Sequence, residues 1–422
     1  MSASASAAAS PVERKAPLAP WYIVEFANSF ACTLLTAGAY DYATDVLHAS
    51  PSHRLWLSAF WGFTYIFIAL AAGKFSEKVG PRRSVLMMSL GCTATAFIGL
   101  LAIRYPSVWM LGAVMLPYNF TSTMIWPAVE SALTRAPGKL RLTSRMSLYN
   151  ISWGSAGFVA FFTRGALEHA SWSLIFLAPA GASLLGFLVL LLFAPNIDLR
   201  HKPHVADDPD AAHELDSPAV RARARTLLHM AWIGNALAYV AINVLIPVML
   251  RLASEAGTTD LAAAGALTSI WSFTRFAGFA AVWLWTGWHY KARWLLAAQV
   301  ALAASFLALF TIHSGAILLP AQILFGLSAA LVYSSALYYA MHVSSGHGGH
   351  AGFHEALIGM GICLGPTIGA LAGAGDIGRP ALHRIGVGVT IVLLAGTAAM
   401  IWLALKPAAR TMPPSSAPES PA

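Results

Sequence analysis

Arg275 is the residue in this 422-residue chain whose surroundings most demand a chemical explanation. It lies near the middle of an apolar stretch, 262–287, roughly 20 Å from either end at about 1.5 Å per residue. A side chain does not easily snorkel that far, and an Arg at mid-bilayer costs about 2.5–3.5 kcal/mol on insertion scales. Arg275 must therefore meet water or an anion. Its planar guanidinium presents a fork of donors that matches a carboxylate or phosphate, so the expected role is a clamp for an anionic group of a bound solute. The competing role is a structural ion pair. Of the acids only Glu25, Asp41, Glu130 and Glu355 fall inside apolar stretches, and Glu355 stands at the start of its own, 353–374.

Glu25 and Glu130 each stand within about two helical turns of the end of their stretch. A carboxyl group facing a partly dry cavity can carry a proton through a reaction cycle; a solvated helix-end carboxylate is the alternative. Asp41 is expected at the outer mouth, and Arg164 and Arg251 as anchors at the outer ends of their helices. Uncharged candidates recur at helical spacing. Asn28 is followed by Ser29, Thr33, Thr36 and Tyr40; Asn119 neighbours Tyr118 and Thr121; Asn235, Tyr239 and Asn243 stand at i, i+4 and i+8; Ser335 and Tyr339 accompany Ser328 and His342. A polar face inside a bilayer looks onto water or a partner helix. A shared aqueous cavity is the expectation, and simple helix-to-helix adhesion, worth about 1 kcal/mol per contact, is the alternative.

The elements that would position these side chains are apolar stretches at 21–44, 54–75, 84–103, 107–134, 146–167, 171–194, 226–252, 262–287, 294–312, 315–342, 353–374 and 381–405, numbered spans one to twelve. Each is long enough for a hydrocarbon core of about 30 Å, which needs about 20 mainly apolar residues. Lipid offers backbone groups no partners, so such segments are helices, and a barrel would show short alternating strands instead. The chain is thus expected to be an all-α membrane protein of twelve transmembrane helices in two pseudo-symmetric six-helix bundles, 21–194 and 226–405. Between them lies a polar, proline-containing linker, 195–225; residues 1–20 and 406–422 read as disordered tails. Polarity falls mainly on spans one, four, seven and ten, a period of three.

The net charge of +8 does not indicate nucleic acid, because most of the 26 Lys and Arg residues fall in the even-numbered loops and the tails. By the positive-inside rule both termini and the linker face the cytoplasm. No cleavable leader is apparent, so span one is expected to stay. Cys32, Cys92 and Cys363 sit in different spans without metal-ligand or disulfide spacing. The tenth loop carries His342, His347, His350 and His354 among glycines and reads as a polar connector; no metal or other cofactor is expected. Gly73-Lys74 is followed by Phe75 and Gly138-Lys139 by Leu140, so no phosphate-cradling loop is present and this chain alone is not expected to use ATP.

After span two comes Gly73-Lys-Phe-Ser-Glu77-Lys78-Val-Gly80-Pro-Arg82-Arg83. The glycines allow close helix approach and positive φ, the acid can receive donors at a helix end, and the cations suit a negative inner leaflet. This spacing resembles the loop between helices two and three of the major facilitator superfamily. With six plus six spans and a long linker, the resemblance covers the whole chain. It implies two bundles rocking about a mid-membrane site lined by spans one, four, seven and ten, with Glu77 latching the halves on the cytoplasmic side. The matching loop of the second half, Gly287-Trp-His-Tyr-Lys291-Ala-Arg293, lacks the acid. The helix-five Gly-Pro signature of the family's drug exporters is absent, though Gly365-Pro366 occurs in span eleven, where close packing accounts for it. The expected activity is secondary active transport of a small solute by alternating access, with an anion as first candidate and protons as a candidate co-substrate. The expected setting is a monomer in a bacterial inner membrane. The rivals are an intramembrane enzyme of lipid or glycosyl transferase type, disfavoured by short outer loops, and a transport-like receptor.

Overall fold

A computed structural model describes residues 18–135, 142–194, 218–258, 260–312, 314–344, 348–373 and 379–406. Most of the linker and the two tails therefore lie outside the described residues, as does 345–347 of the histidine-bearing tenth loop. The described helices fall into the twelve expected spans. Spans one, two, five, six, nine, ten, eleven and twelve are single helices: Ala19–Asp45, Pro51–Val79, Leu142–Ala170, Leu174–Phe193, Ala292–Thr311, Gly315–Ser344, Gly348–Ala372 and Arg379–Leu405. Spans three (Pro81–Ile98, Leu100–Arg104), four (Val108–Thr123, Ile125–Arg135) and eight (Leu261–Thr268, Ile270–Leu284) are interrupted, and span seven runs Pro218–Leu245, a 3-10 turn at Ile246–Val248, then Met249–Glu255. Eight spans are individually apolar and long enough to cross a membrane; spans one, four, five and eight fall short, and these carry Glu25, Glu130, Trp153 and Arg275.

Local chemistry sets the helix ends. Ser50 opens span two by accepting a hydrogen bond from the His53 N–H, and Asp260 opens span eight by accepting from Ala263. Gly80 is the only residue between the helices of spans two and three, and its φ of 93° lies where side chains are strained. Pro81 then starts span three at a position that needs no N–H. That explains the Gly-Pro of the basic motif: one residue must reverse the chain. Pro218 likewise starts span seven several residues before the apolar stretch, which places Arg223 inside the helix, with its guanidinium donating to the Tyr290 carbonyl at 2.6 Å.

Within the first half, span one packs on five and six, three on six and four, and two on four. Adding six to each number gives the main pairs of the second half: seven on eleven and twelve, nine on twelve and ten, and eight on ten. The two bundles are thus pseudo-symmetric. Between the halves, two packs along eleven and five along eight, contacts that the same operation interchanges. Glycine makes the first of these possible. A Cβ at Gly62 would stand 2.3 Å from the Cys363 backbone nitrogen, and one at Gly359 would stand 2.8 Å from Tyr65. Gly62→Val is therefore expected to overpack this seam by about 1–3 kcal/mol and part spans two and eleven. Faster maleimide labelling of Cys363, in a chain lacking Cys32 and Cys92, is the readout.

Candidate functional site: a cavity between the two halves

The halves enclose a cavity of about 180 Å³ lined by both bundles. Span one contributes Ser29, Cys32, Thr33, Thr36 and Tyr40, the face expected from helical spacing. Span seven contributes Tyr239, Ile242, Asn243 and Ile246, and span eight contributes Trp271, Ser272 and Arg275. Spans four and ten supply only Trp126 and Tyr333, whereas spans two, five and eleven supply Trp61, Tyr65, Tyr149, Trp153 and Glu355. The period-of-three expectation is thus half the lining. The interfacial pairs two with eleven and five with eight form the remaining walls, because a cavity between rigid bundles is bounded by the helices that touch across it.

Arg275 is 5% exposed and opens onto this cavity through a cage of rings. Its guanidinium carbon lies 4.4 Å from the ring centre of Trp153 in the first half, and 5.3, 5.5 and 5.6 Å from those of Tyr239, Tyr333 and Phe279 in the second. One Nη donates to the Tyr239 hydroxyl at 3.4 Å, while Nε has no partner. Among the described residues no carboxylate pairs with it. Ring faces attract a desolvated guanidinium by about 2 kcal/mol each at best, which holds the charge in place while leaving it un-neutralised.

Glu25 is fully buried, its Oε1 accepting from the Ser29 hydroxyl at 2.8 Å and the Trp126 indole at 3.1 Å. Both donors line the cavity, so Glu25 stands one residue behind its wall. Glu130 is also buried, with Oε1 unpartnered. Glu355 lines the cavity and accepts from the Tyr65 hydroxyl of span two, tying the second half to the first. These three carboxylates lie within electrostatic range of one another.

Of the candidate solute contacts, the structure brings together Arg275, Tyr239 and Asn243. The others lie outside the cavity. The Asn28 amide donates to the Ser122 carbonyl at 3.4 Å, and that of Asn119 donates to the Trp61 carbonyl and Thr64 hydroxyl, fastening span four to span two. Asn235 is fully buried with both polar atoms unpartnered. The Ser335 hydroxyl donates to the carbonyl of Leu331, and the Tyr339 hydroxyl accepts from the Tyr290 N–H in the loop between spans eight and nine. In the basic motif, exposed Glu77 approaches Arg135 of its own half at 3.8 Å, and Arg82 donates to the carbonyls of Ala194 and Leu191, capping span six. Gly80 makes the turn and Gly73 lies inside the helix before it, with Lys78 and Arg83 exposed beside the turn. Arg164 departs from the expected outer anchor. It is 1% exposed, 3.0 Å from Asp41 of span one and 3.8 Å from Glu168, inside a buried ion cluster.

Trp153, Tyr149, Tyr65, Tyr333 and Glu355 are lining residues without an assigned role in the sequence. One signal was present: Tyr149, Trp153, Gly157 and Phe161 recur every fourth residue, which puts them on one side of span five. Glu355 reads as a span end only if the helix begins near 353. It begins at Gly348, so Glu355 stands two turns deep.

The Major Facilitator Superfamily model matches residues 21–369. No curated protein matches the chain. Among solved structures it is similar to a mutant of the nucleoside transporter NupG, with a TM-score of 0.69, 12% identity, and 92% of this chain and 99% of that one covered. It is also similar to the human organic anion transporter MFSD10, at 0.65, 16%, 92% and 100%, and to a proton-dependent oligopeptide transporter, at 0.68, 13%, 92% and 99%. Likeness at these identities concerns the fold. The family match over most of the chain, with a cavity shared by two six-helix bundles, shows that this is a multi-pass membrane protein of the major facilitator superfamily, a secondary transporter and not an enzyme.

Proposed function

We propose that this protein carries a small anionic solute across a bacterial inner membrane by alternating access, coupled to protons, with Arg275 holding the anion between the halves. The observation that carries this reading is a buried guanidinium that opens onto the inter-bundle cavity with no carboxylate partner among the described residues. A bound carboxylate or phosphate supplies the missing counter-charge. Tyr239 and Asn243 stand beside it as solute contacts. Asn28, Asn119 and Tyr339, proposed from spacing alone, are better supported as groups that tie one element to its neighbour; Ser335 bonds within its own helix and Asn235 is buried with both amide atoms unpartnered. The cavity, at about 180 Å³, lies below the ~300 Å³ at which drug-sized pockets begin, so the cargo is small. MFSD10 is named as an organic anion transporter, but the anion reading here rests on Arg275 itself.

Protons are the proposed driving co-substrate, with Glu25 and Glu130 as carriers. Both are buried near one end of the cavity, and neither has a basic partner among the described ion pairs. The excess of Lys and Arg in the even-numbered loops supports cytoplasmic termini. Counterflow in proteoliposomes loaded in turn with small carboxylates and phosphates should reveal exchange of at least one, accelerated by a pH gradient. Exchange of cations alone would remove the anion reading.

Glu77 is the proposed half of a latch on the face where spans two and four end. Glu77→Gln should shift the population toward the state open on that face by about threefold, the scale of one surface ion pair lost between the halves. Unchanged accessibility of cysteines placed on the two faces would remove that role.

A further inference from the structure

The cavity has a second charged pole that an anion at Arg275 leaves without use. Glu355 lines the same space, yet the two residues form no ion pair. Tyr239 and Tyr333, also in the lining, are within electrostatic range of both. Among the described lining residues Arg275 is the only Lys or Arg. Near Glu355 stand Glu25 and Glu130, each with one carboxylate oxygen lacking a partner. The rings of Tyr65 and Trp126, 5.9 Å apart, line the cavity there as well. A carboxylate flanked by ring faces suits an ammonium group, which gains ion-pair and cation–π contacts together. Charges of both signs are thus buried in one small space and left unmatched by each other, an arrangement that costs several kcal/mol per ion unless a ligand completes it.

We infer that the solute is an amino-acid-sized zwitterion, its anionic group at Arg275, its ammonium at Glu355, and its apolar body against Trp153, Tyr239 and Tyr333. This rests on Arg275 as the anion anchor. The volume agrees with the class: a cavity of about 180 Å³ lies below the ~300 Å³ of drug-sized pockets and suits a solute of amino-acid size.

The test uses the full chain in detergent and six probes in two matched sets: L-phenylalanine, 3-phenylpropionate and phenethylamine; L-leucine, 4-methylpentanoate and 3-methylbutylamine. Binding is read by calorimetry. At least one zwitterion should bind about thirtyfold or more tightly than its two single-charge counterparts, the scale of losing one partner of a buried charge pair. Glu355→Gln should erase its margin over the carboxylate, and Arg275→Gln its margin over the amine. The wild-type comparison stands alone should either variant fail to fold. Carboxylates that bind as well as their zwitterions, with Glu355→Gln unchanged, would overturn the zwitterion and leave the anion reading intact. Amines binding alone would overturn both. Binding of none of the six removes the inference.

Discussion

Arg275→Ala should reduce transport about hundredfold or more, the effect of removing a buried charge that a bound group must meet, while expression and melting temperature stay near wild type. Stability is spared because no carboxylate in the described structure depends on this guanidinium. What is lost is the cation at the centre of the ring cage formed by Trp153, Tyr239, Tyr333 and Phe279. Arg275→Lys should recover only part of the activity, because an ammonium keeps the charge but loses the planar fork and its stacking. The measurement is initial uptake rate in proteoliposomes normalised to inserted protein. Wild-type kinetics in Arg275→Ala would end its role as an anchor.

The second large effect is on stability. Arg164 stands between Asp41 on span one and Glu168 on its own helix, with all three side chains buried. Removing the cation strands two carboxylates in a dry interior, and breaking a buried pair in this way costs about 3–5 kcal/mol. Arg164→Ala should therefore lower the melting temperature in detergent markedly. Neutralising the whole cluster, as Asp41→Asn and Glu168→Gln together with Arg164→Met, should restore most of the loss, since a matched set of neutral groups leaves no stranded charge. Strict additivity of the three changes would show that the residues do not act as one unit. Nearby, Arg54 of span two donates to the carbonyl of Pro247 in span seven at 2.8 Å, bridging the two halves.

The contrast between these two arginines shows why part of the site could be read directly and part could not. Both lie in long apolar stretches, and in each case a buried charge was bound to find a counterpart. Arg275 was legible because its depth alone rules out snorkelling to either surface. Arg164 sits close enough to a helix end for an interfacial anchor to be equally reasonable. Only packing of span one against span five turns it inward toward Asp41. Likewise Asn119 and Asn243 are both mid-span amides on polar helix faces. One is consumed by the Trp61 carbonyl and Thr64, while the other looks into the cavity. Helical spacing tells which residues share a side, and leaves open which neighbour that side meets.

Composition and periodicity by themselves determined that this chain must be helical and cross a bilayer about twelve times, six before and six after a polar linker. Backbone groups in hydrocarbon have no partners outside their own helix, so segment length and polarity suffice. The same local physics fixed the depth of Arg275 and allowed a positive φ at Gly80, while the structure showed that this one residue makes the whole turn. Tertiary structure alone decided which walls enclose the cavity, that Glu355 shares it with Arg275, and that aromatic rings take the place of a counter-ion. Those outcomes depend on contacts between residues far apart in the chain, such as Trp153 with Arg275 and Tyr65 with Glu355. Each is set by how one rigid bundle docks against the other, and no periodicity within a single helix encodes that docking.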